Sequence, residues 1–228
     1  MDAFANGISL GADGIELDVH LSRDGAVVVH HDATVDRTTS GSGAVAALGA
    51  DELARLNVPR LADVLARFRD TRVIVELKVN SAELAREVVD VVRRADAVER
   101  VCLGSFGTRV LRAARALEPA IATSAAREEV RWALYRSWVG WPARRASYVG
   151  FQVPEWAGPT RVVSRRFVDT AHCAGHSVQV WTVDTEDDAR RLLGWGVDAL
   201  ITDRPDLIVP VVREVREVRE VREVRGKF

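Results

Sequence analysis

Glu16 and Asp18 stand two residues apart in the run IELDV (15–19), and Glu76 and Lys78 stand two apart in VELKV (75–79). Side chains alternate faces along an extended chain, so each pair projects from one face while its apolar neighbours take the other. Two carboxylates held side by side repel unless a cation or water separates them. Three carboxylates with only hard oxygen donors suit Mg²⁺ or Ca²⁺ rather than zinc. Glu16, Asp18 and Glu76 are therefore the candidate metal ligands. His31, followed by Asp32, closes the run VVVHHD (27–32). Arg37, in DRTT (36–39), suits a phosphate partner as well as a carboxylate that would pin its loop, and both readings stay open. Trp181, in VQVWTV (178–183), shares a strand face with Gln179 and Val183.

These side chains need strands to present them. Residues 15–19 alternate as a strand through Glu16 and Asp18, the Arg23-Asp24-Gly25 turn signals a hairpin, and the second strand runs through His31. The β-branched run 71–79 reads as a strand buried on both faces. Helical spacing follows at 82–94, with Leu84, Val88, Val91 and Val92 as its apolar positions. Strand and helix then alternate: strands at 101–106, 120–124, 148–153, 178–183 and 197–202, helices at 109–117, 128–139, 164–174 and 186–193. Earlier helices are expected at 2–10, 51–56 and 61–69. Repeated βα units imply a parallel sheet, and this many favour a closed α/β barrel of TIM type. Seven strands fall in barrel register, with the hairpin strand as an excursion at the rim. In such barrels the active site lies at the C-terminal ends of the strands, where both charged pairs stand.

Length and composition agree with one such domain. The chain has 228 residues, 47% of them hydrophobic, enough for a large core and too many for a disordered chain. No run reaches the ~18 apolar residues of a membrane span. A net charge of -1, from 32 basic and 33 acidic residues mixed throughout, gives nucleic-acid binding no electrostatic support. Cys102 and Cys173 are far apart and read as buried hydrophobes in a reducing compartment. With no signal pattern at the N-terminus, the location expected is cytoplasmic. His172 and His176 flank a helix end, where imidazoles cap the last carbonyls. Trp132, Trp138 and Trp141 cluster in one segment, open to a reading as helix core or as an exposed apolar patch. Apart from Lys227, Lys78 is the only lysine. Residues 213–228 carry an Arg-Glu-Val repeat whose period of three winds its valines around a helix, so they form no buried stripe. The domain is thus expected over 1–212, with 213–228 a low-complexity tail and a frayed helix.

The runs GADGIELDV (11–19), DGAVVVHHD (24–32) and RTTSGSG (37–43) resemble the signature of the glycerophosphodiester phosphodiesterase family, and GVDALITDRP (196–205) resembles its closing strand. The resemblance implies a (β/α)8 barrel of the phospholipase-C-like phosphodiesterase kind. It implies divalent-metal hydrolysis of a glycerophosphodiester to glycerol 3-phosphate and an alcohol. It makes His31 the acid–base residue, Lys78 a phosphate contact and Trp181 part of the substrate pocket. The family opens with a strand ending in His-Arg-Gly and a following Glu-Asn-Thr motif. This chain starts inside the next helix and lacks both, so its barrel is expected without the first strand. Two alternatives accompany the enzyme reading: a truncated relic that binds metal and phosphate, and a phosphodiesterase for lysophospholipid or sphingomyelin-type substrates. An open barrel would expose strand edges through which copies of the chain associate.

Overall fold

A computed structural model describes residues 1–142 and 146–225, with side chains through residue 218. The chain falls into two compact units: Met1–Asp2 with Asp13–Glu128, and Ala3–Ala12 with the chain from Glu129 onward. Helix α1 (Asp2–Leu10) opens the chain. Gly11 ends it at φ +100°, a left-handed conformation that favours glycine.

The first unit is built on β1 (Gly14–Leu21), β2 (Val27–Val29), β3 (Arg72–Leu77), β4 (Val101–Gly104) and β5 (Ala122–Thr123). Their order is β2-β1-β3-β4-β5. β1, β3, β4 and β5 run parallel, and β2 returns antiparallel along β1. The helices of this unit are α2 (Ala50–Arg55), α3 (Leu61–Arg67), α4 (Ala82–Arg94) and α5 (Thr108–Leu117). In β1, alternation buries Ile15, Leu17 and Val19 and leaves Glu16 and Asp18 half-buried on the other face. β3 repeats this with Val73, Val75 and Leu77 buried. The expectation of a strand buried on both faces is therefore corrected: the face bearing Ile74 and Glu76 is partly open. Each fully buried Val or Leu contributes about 1.5–3 kcal/mol, which holds the charged face in place. α4 starts at Ser81, whose side chain accepts the Leu84 N–H, and buries Leu84, Val88 and Val92 along one stripe.

Helix α6 (Arg127–Trp138) leads into the second unit, which contains β6 (Gly150–Pro154), the two-residue hairpin β7 (Trp156–Ala157) and β8 (Thr160–Arg161), α7 (Arg165–Cys173), β9 (Ser177–Trp181), α8 (Glu186–Gly194), β10 (Ala199–Leu200) and α9 (Pro205–Arg225). Its parallel sheet has the order β10-β9-β6. All seven strands expected in barrel register are present as parallel strands. The β7–β8 hairpin was not expected, because two-residue strands carry no readable period.

Several local expectations change. Cys173 is exposed and Cys102 half-buried, so neither is a fully buried hydrophobe. His172 Nε2 lies 2.9 Å from Asp198 Oδ2, and His176 is buried against the rings of Tyr148 and Phe151. His172 thus pairs with a carboxylate, and His176 packs on aromatic rings. Trp132, Trp138 and Trp141 are all exposed. Helix α9 begins eight residues before the repeat and continues through it to Arg225, and Lys227 with the end of the tail lies outside the described residues.

Candidate active site

β1 changes partners along its length. Residues 14–19 pair with β3 and residues 19–21 pair with β2. The parallel register sets Asp18 opposite Glu76, and Glu76 in turn opposite Gly104. Lys78 continues past β3, its N–H donating to the Val19 carbonyl at 3.3 Å. Its Nζ stands 3.2 Å from Asp18 Oδ1, with the two side chains 22% and 17% exposed. That shielding makes the pair stronger than an ordinary surface ion pair.

Glu76 reports the charge in this space. Burial, followed by repulsion from Asp18 and Glu16, pushes its carboxyl from 4.5 up to about 8; Lys78 and the Phe106 N–H act in the opposite direction. At neutral pH, with Lys78 as the neighbouring cation, Glu76 holds a proton. Among the described residues, no group of three or more His, Cys, Asp or Glu could hold a metal ion as it stands. The donor set is nonetheless all carboxylate oxygen, and its mutual repulsion is what a divalent cation relieves. Glu16, Asp18 and Glu76 therefore match a hard cation in chemistry, although they do not enclose a ready-made centre.

His31 does not lie on a strand, as the reading of residues 27–32 expected. β2 ends at Val29, and His31 sits in the following loop with its side chain 65% exposed. Backbone ties bring that loop back to β1: the His30 N–H donates to the Asp18 carbonyl at 2.9 Å. His31 Nδ1 lies 2.7 Å from Asp32 Oδ1. Arg37 grips the same carboxylate twice, through Nε at 2.6 Å and Nη2 at 3.0 Å. Arg37 first, then His31, holds Asp32 well below the usual carboxylate range. An ionised Asp32 accepts from an Nδ1–H, so Nε2 is the imidazole nitrogen available for proton transfer. Of the two readings of Arg37, the loop-pinning contact is the one formed.

Asp32 is the residue that sequence reasoning missed as a positioning group. The signal was its place next to His31, with an arginine five residues on. His20 was missed too. It is buried, its Nε2 lies 3.3 Å from the His31 carbonyl, and burial lowers its pKa, which favours the neutral ring. His30 Nε2 lies 3.0 Å from the Thr34 carbonyl. A cavity of about 650 Å³ lies against Arg37, His30, Thr38 and Arg55, and a second of about 650 Å³ lies against Lys78. Trp181 is in the second unit, half-buried as the last residue of β9 and in register with Pro154.

Residues 1–207 match the glycerophosphoryl diester phosphodiesterase family. A Mycobacterium tuberculosis protein described as probable glycerophosphodiester phosphodiesterase 2 is 35% identical, the alignment covering 93% of this chain and 84% of that protein. The glycerophosphodiester phosphodiesterase of Caldanaerobacter subterraneus is 29% identical, over 93% of this chain and 90% of its own. Among solved structures, an Oleispira antarctica phosphodiesterase in complex with the product sn-glycerol-3-phosphate matches with a TM-score of 0.75 and 24% identity, over 92% of this chain and 89% of that one. This likeness shows the fold class, an α/β barrel of TIM type.

Proposed function

The chain belongs to the glycerophosphoryl diester phosphodiesterase family, and from that premise we propose that it hydrolyses glycerophosphodiesters to glycerol 3-phosphate and an alcohol. The observation that carries this reading is the cross-strand grouping of Asp18 and Glu76 with Lys78 between β1 and β3, its charge recorded in the raised Glu76 pKa.

Divalent-metal dependence is general to this family. In this chain Glu16, Asp18 and Glu76 would hold the ion, Mg²⁺ or Ca²⁺, both of which take carboxylate oxygen. When bound, such an ion neutralises charge on the phosphoryl oxygens. The Lys78 ammonium serves as a second positive contact for the phosphate, released from Asp18 when the carboxylates are otherwise satisfied. His31 Nε2 carries the proton. Water forms the new bond to phosphorus, the bond to the alcohol oxygen breaks, and that oxygen takes a proton from His31; the proton that the attacking water gives up passes to solvent and restores the imidazole for the next turnover. Asp32 orients the imidazole through Nδ1, and Arg37 holds Asp32 in turn. We assign Trp181 the pocket-wall role implied by the resemblance, where an indole face packs on an apolar substrate edge.

The test is release of glycerol 3-phosphate from glycerophosphocholine by the purified chain. His31→Gln is expected to lower kcat by about 10²–10⁴-fold, the usual contribution of one positioned proton-transfer group. A full-rate His31→Gln enzyme would remove the imidazole from the mechanism.

A further inference from the structure

Lys78 faces two ways. On one side its Nζ meets Asp18. On the other its side chain lines the cavity of about 650 Å³ that extends past Ser105 and Phe106 to the first turns of α5 and α6. Arg109, Arg112 and Arg127 line this cavity as well, so with Lys78 it carries four cations against a single lining carboxylate, Glu128. That carboxylate is already engaged, accepting a hydrogen bond from the Thr108 hydroxyl. Arg109 and Arg112 stand three apart on α5, a spacing that sets them side by side on one helix face. Both are exposed, and neither enters an ion pair among the described residues. Arg127 packs over the Phe106 ring, 4.9 Å from its centroid, beside them.

A diester phosphate held at Lys78 thus has carboxylates on one side and arginines on the other. The two halves of such a substrate meet opposite fields. An anionic group directed toward Glu16, Asp18 and Glu76 competes with the scissile phosphate for the one cation they would hold, whereas the same group directed along the cavity meets the guanidinium forks of Arg109 and Arg112, which enter no ion pair among the described residues. Several such forks offer more donors than a carboxylate's two oxygens can use, and they match phosphate bidentately.

We propose that the cavity lined by Arg109, Arg112 and Arg127 is the subsite for the alcohol half of the substrate, and that it selects alcohols carrying a second phosphate. This assignment rests on the reading above that the scissile phosphate binds at Lys78. The probes are 1,3-bis(glycerophospho)glycerol, whose alcohol half carries a second phosphate, and glycerophosphocholine, whose alcohol half is cationic. Affinities of the full chain for both are measured by titration calorimetry at about 0.1 M salt, alongside turnover of each.

The expected result is binding of the bis-phosphate roughly tenfold tighter, the scale of one or two exposed charge-assisted contacts. In the Arg109→Gln/Arg112→Gln double variant that ratio falls to about one. It survives in Arg94→Gln/Arg131→Gln, which removes two exposed arginines that do not line the cavity. Equal affinities in the unaltered chain, or a preference that the Arg109/Arg112 change leaves intact, would overturn the subsite. Turnover separates the two readings. Hydrolysis of both diesters without preference sinks the subsite and spares the hydrolase. An arginine-dependent binding preference without any turnover supports the subsite and sinks the hydrolase.

Discussion

Glu76 is the most informative single residue, because its titration is set first by burial and then by the carboxylates that make it a candidate ligand. Below 4.5 the carboxyl is protonated in folded and unfolded chains alike. Between 4.5 and about 8 only the unfolded chain ionises freely, so stability declines as pH rises through that window. Glu76→Gln removes this penalty. In metal-free buffer the variant is expected to melt higher than the unaltered chain at pH 8 and to converge with it near pH 4.5, which thermal melts followed by circular dichroism would show. At Lys78 the expectation concerns binding. Lys78→Met should lower kcat/KM about 10–10²-fold, the worth of one hydrogen bond to a charged group, in a steady-state assay. The facing of Glu16, Asp18, Glu76 and Lys78 was legible from strand alternation alone. The pairing of His31 with Asp32 and Arg37 was not, because a loop contact leaves no period and arginine fits phosphate and carboxylate equally well.

At the scale of elements, the site depends on how β3, β4 and the β1–β2 hairpin end. The buried Ser105 hydroxyl donates to the Leu77 carbonyl at 2.8 Å and accepts the Gly107 N–H at 3.1 Å, fastening the end of β3 to the turn after β4. Ser105→Ala leaves both backbone groups short of a partner and should cost about 1–3 kcal/mol in chemical denaturation. Helices and parallel strands were legible to within a residue or two where apolar spacing ran long, as in α4, whose observed bounds coincide with the expected 82–94. Strand ends were less legible. The apolar run carried the second strand on to His31, but the chain leaves the ladder after Val29, where the Val29 N–H turns to the Pro59 carbonyl at 2.8 Å. That departure puts His31 on a loop rather than on a strand face.

For the molecule as a whole, the first turn of the repeat at 213–228 is tied to the fold by two side-chain contacts. Arg213 Nη2 donates to the Leu10 carbonyl at 3.2 Å, and Arg190 pairs with Glu214 at 2.9 Å. These are exposed contacts worth about 0–1 kcal/mol each. Ending the chain after Val218 should therefore leave the melting temperature nearly unchanged, whereas ending it after Ile208 would also remove the buried Val211 and lower it measurably. The fold class was readable because βα alternation accumulates over the whole chain, while a tail of period three offers no face to pack.

The most direct test of the central claim is glycerol 3-phosphate release from glycerophosphocholine, measured with Mg²⁺ or Ca²⁺ and again after chelation. The expected result is release that chelator abolishes, that either cation restores, and that Glu16→Ala removes in a chain still folded by circular dichroism. Release that persists unchanged in chelator and in Glu16→Ala would contradict it.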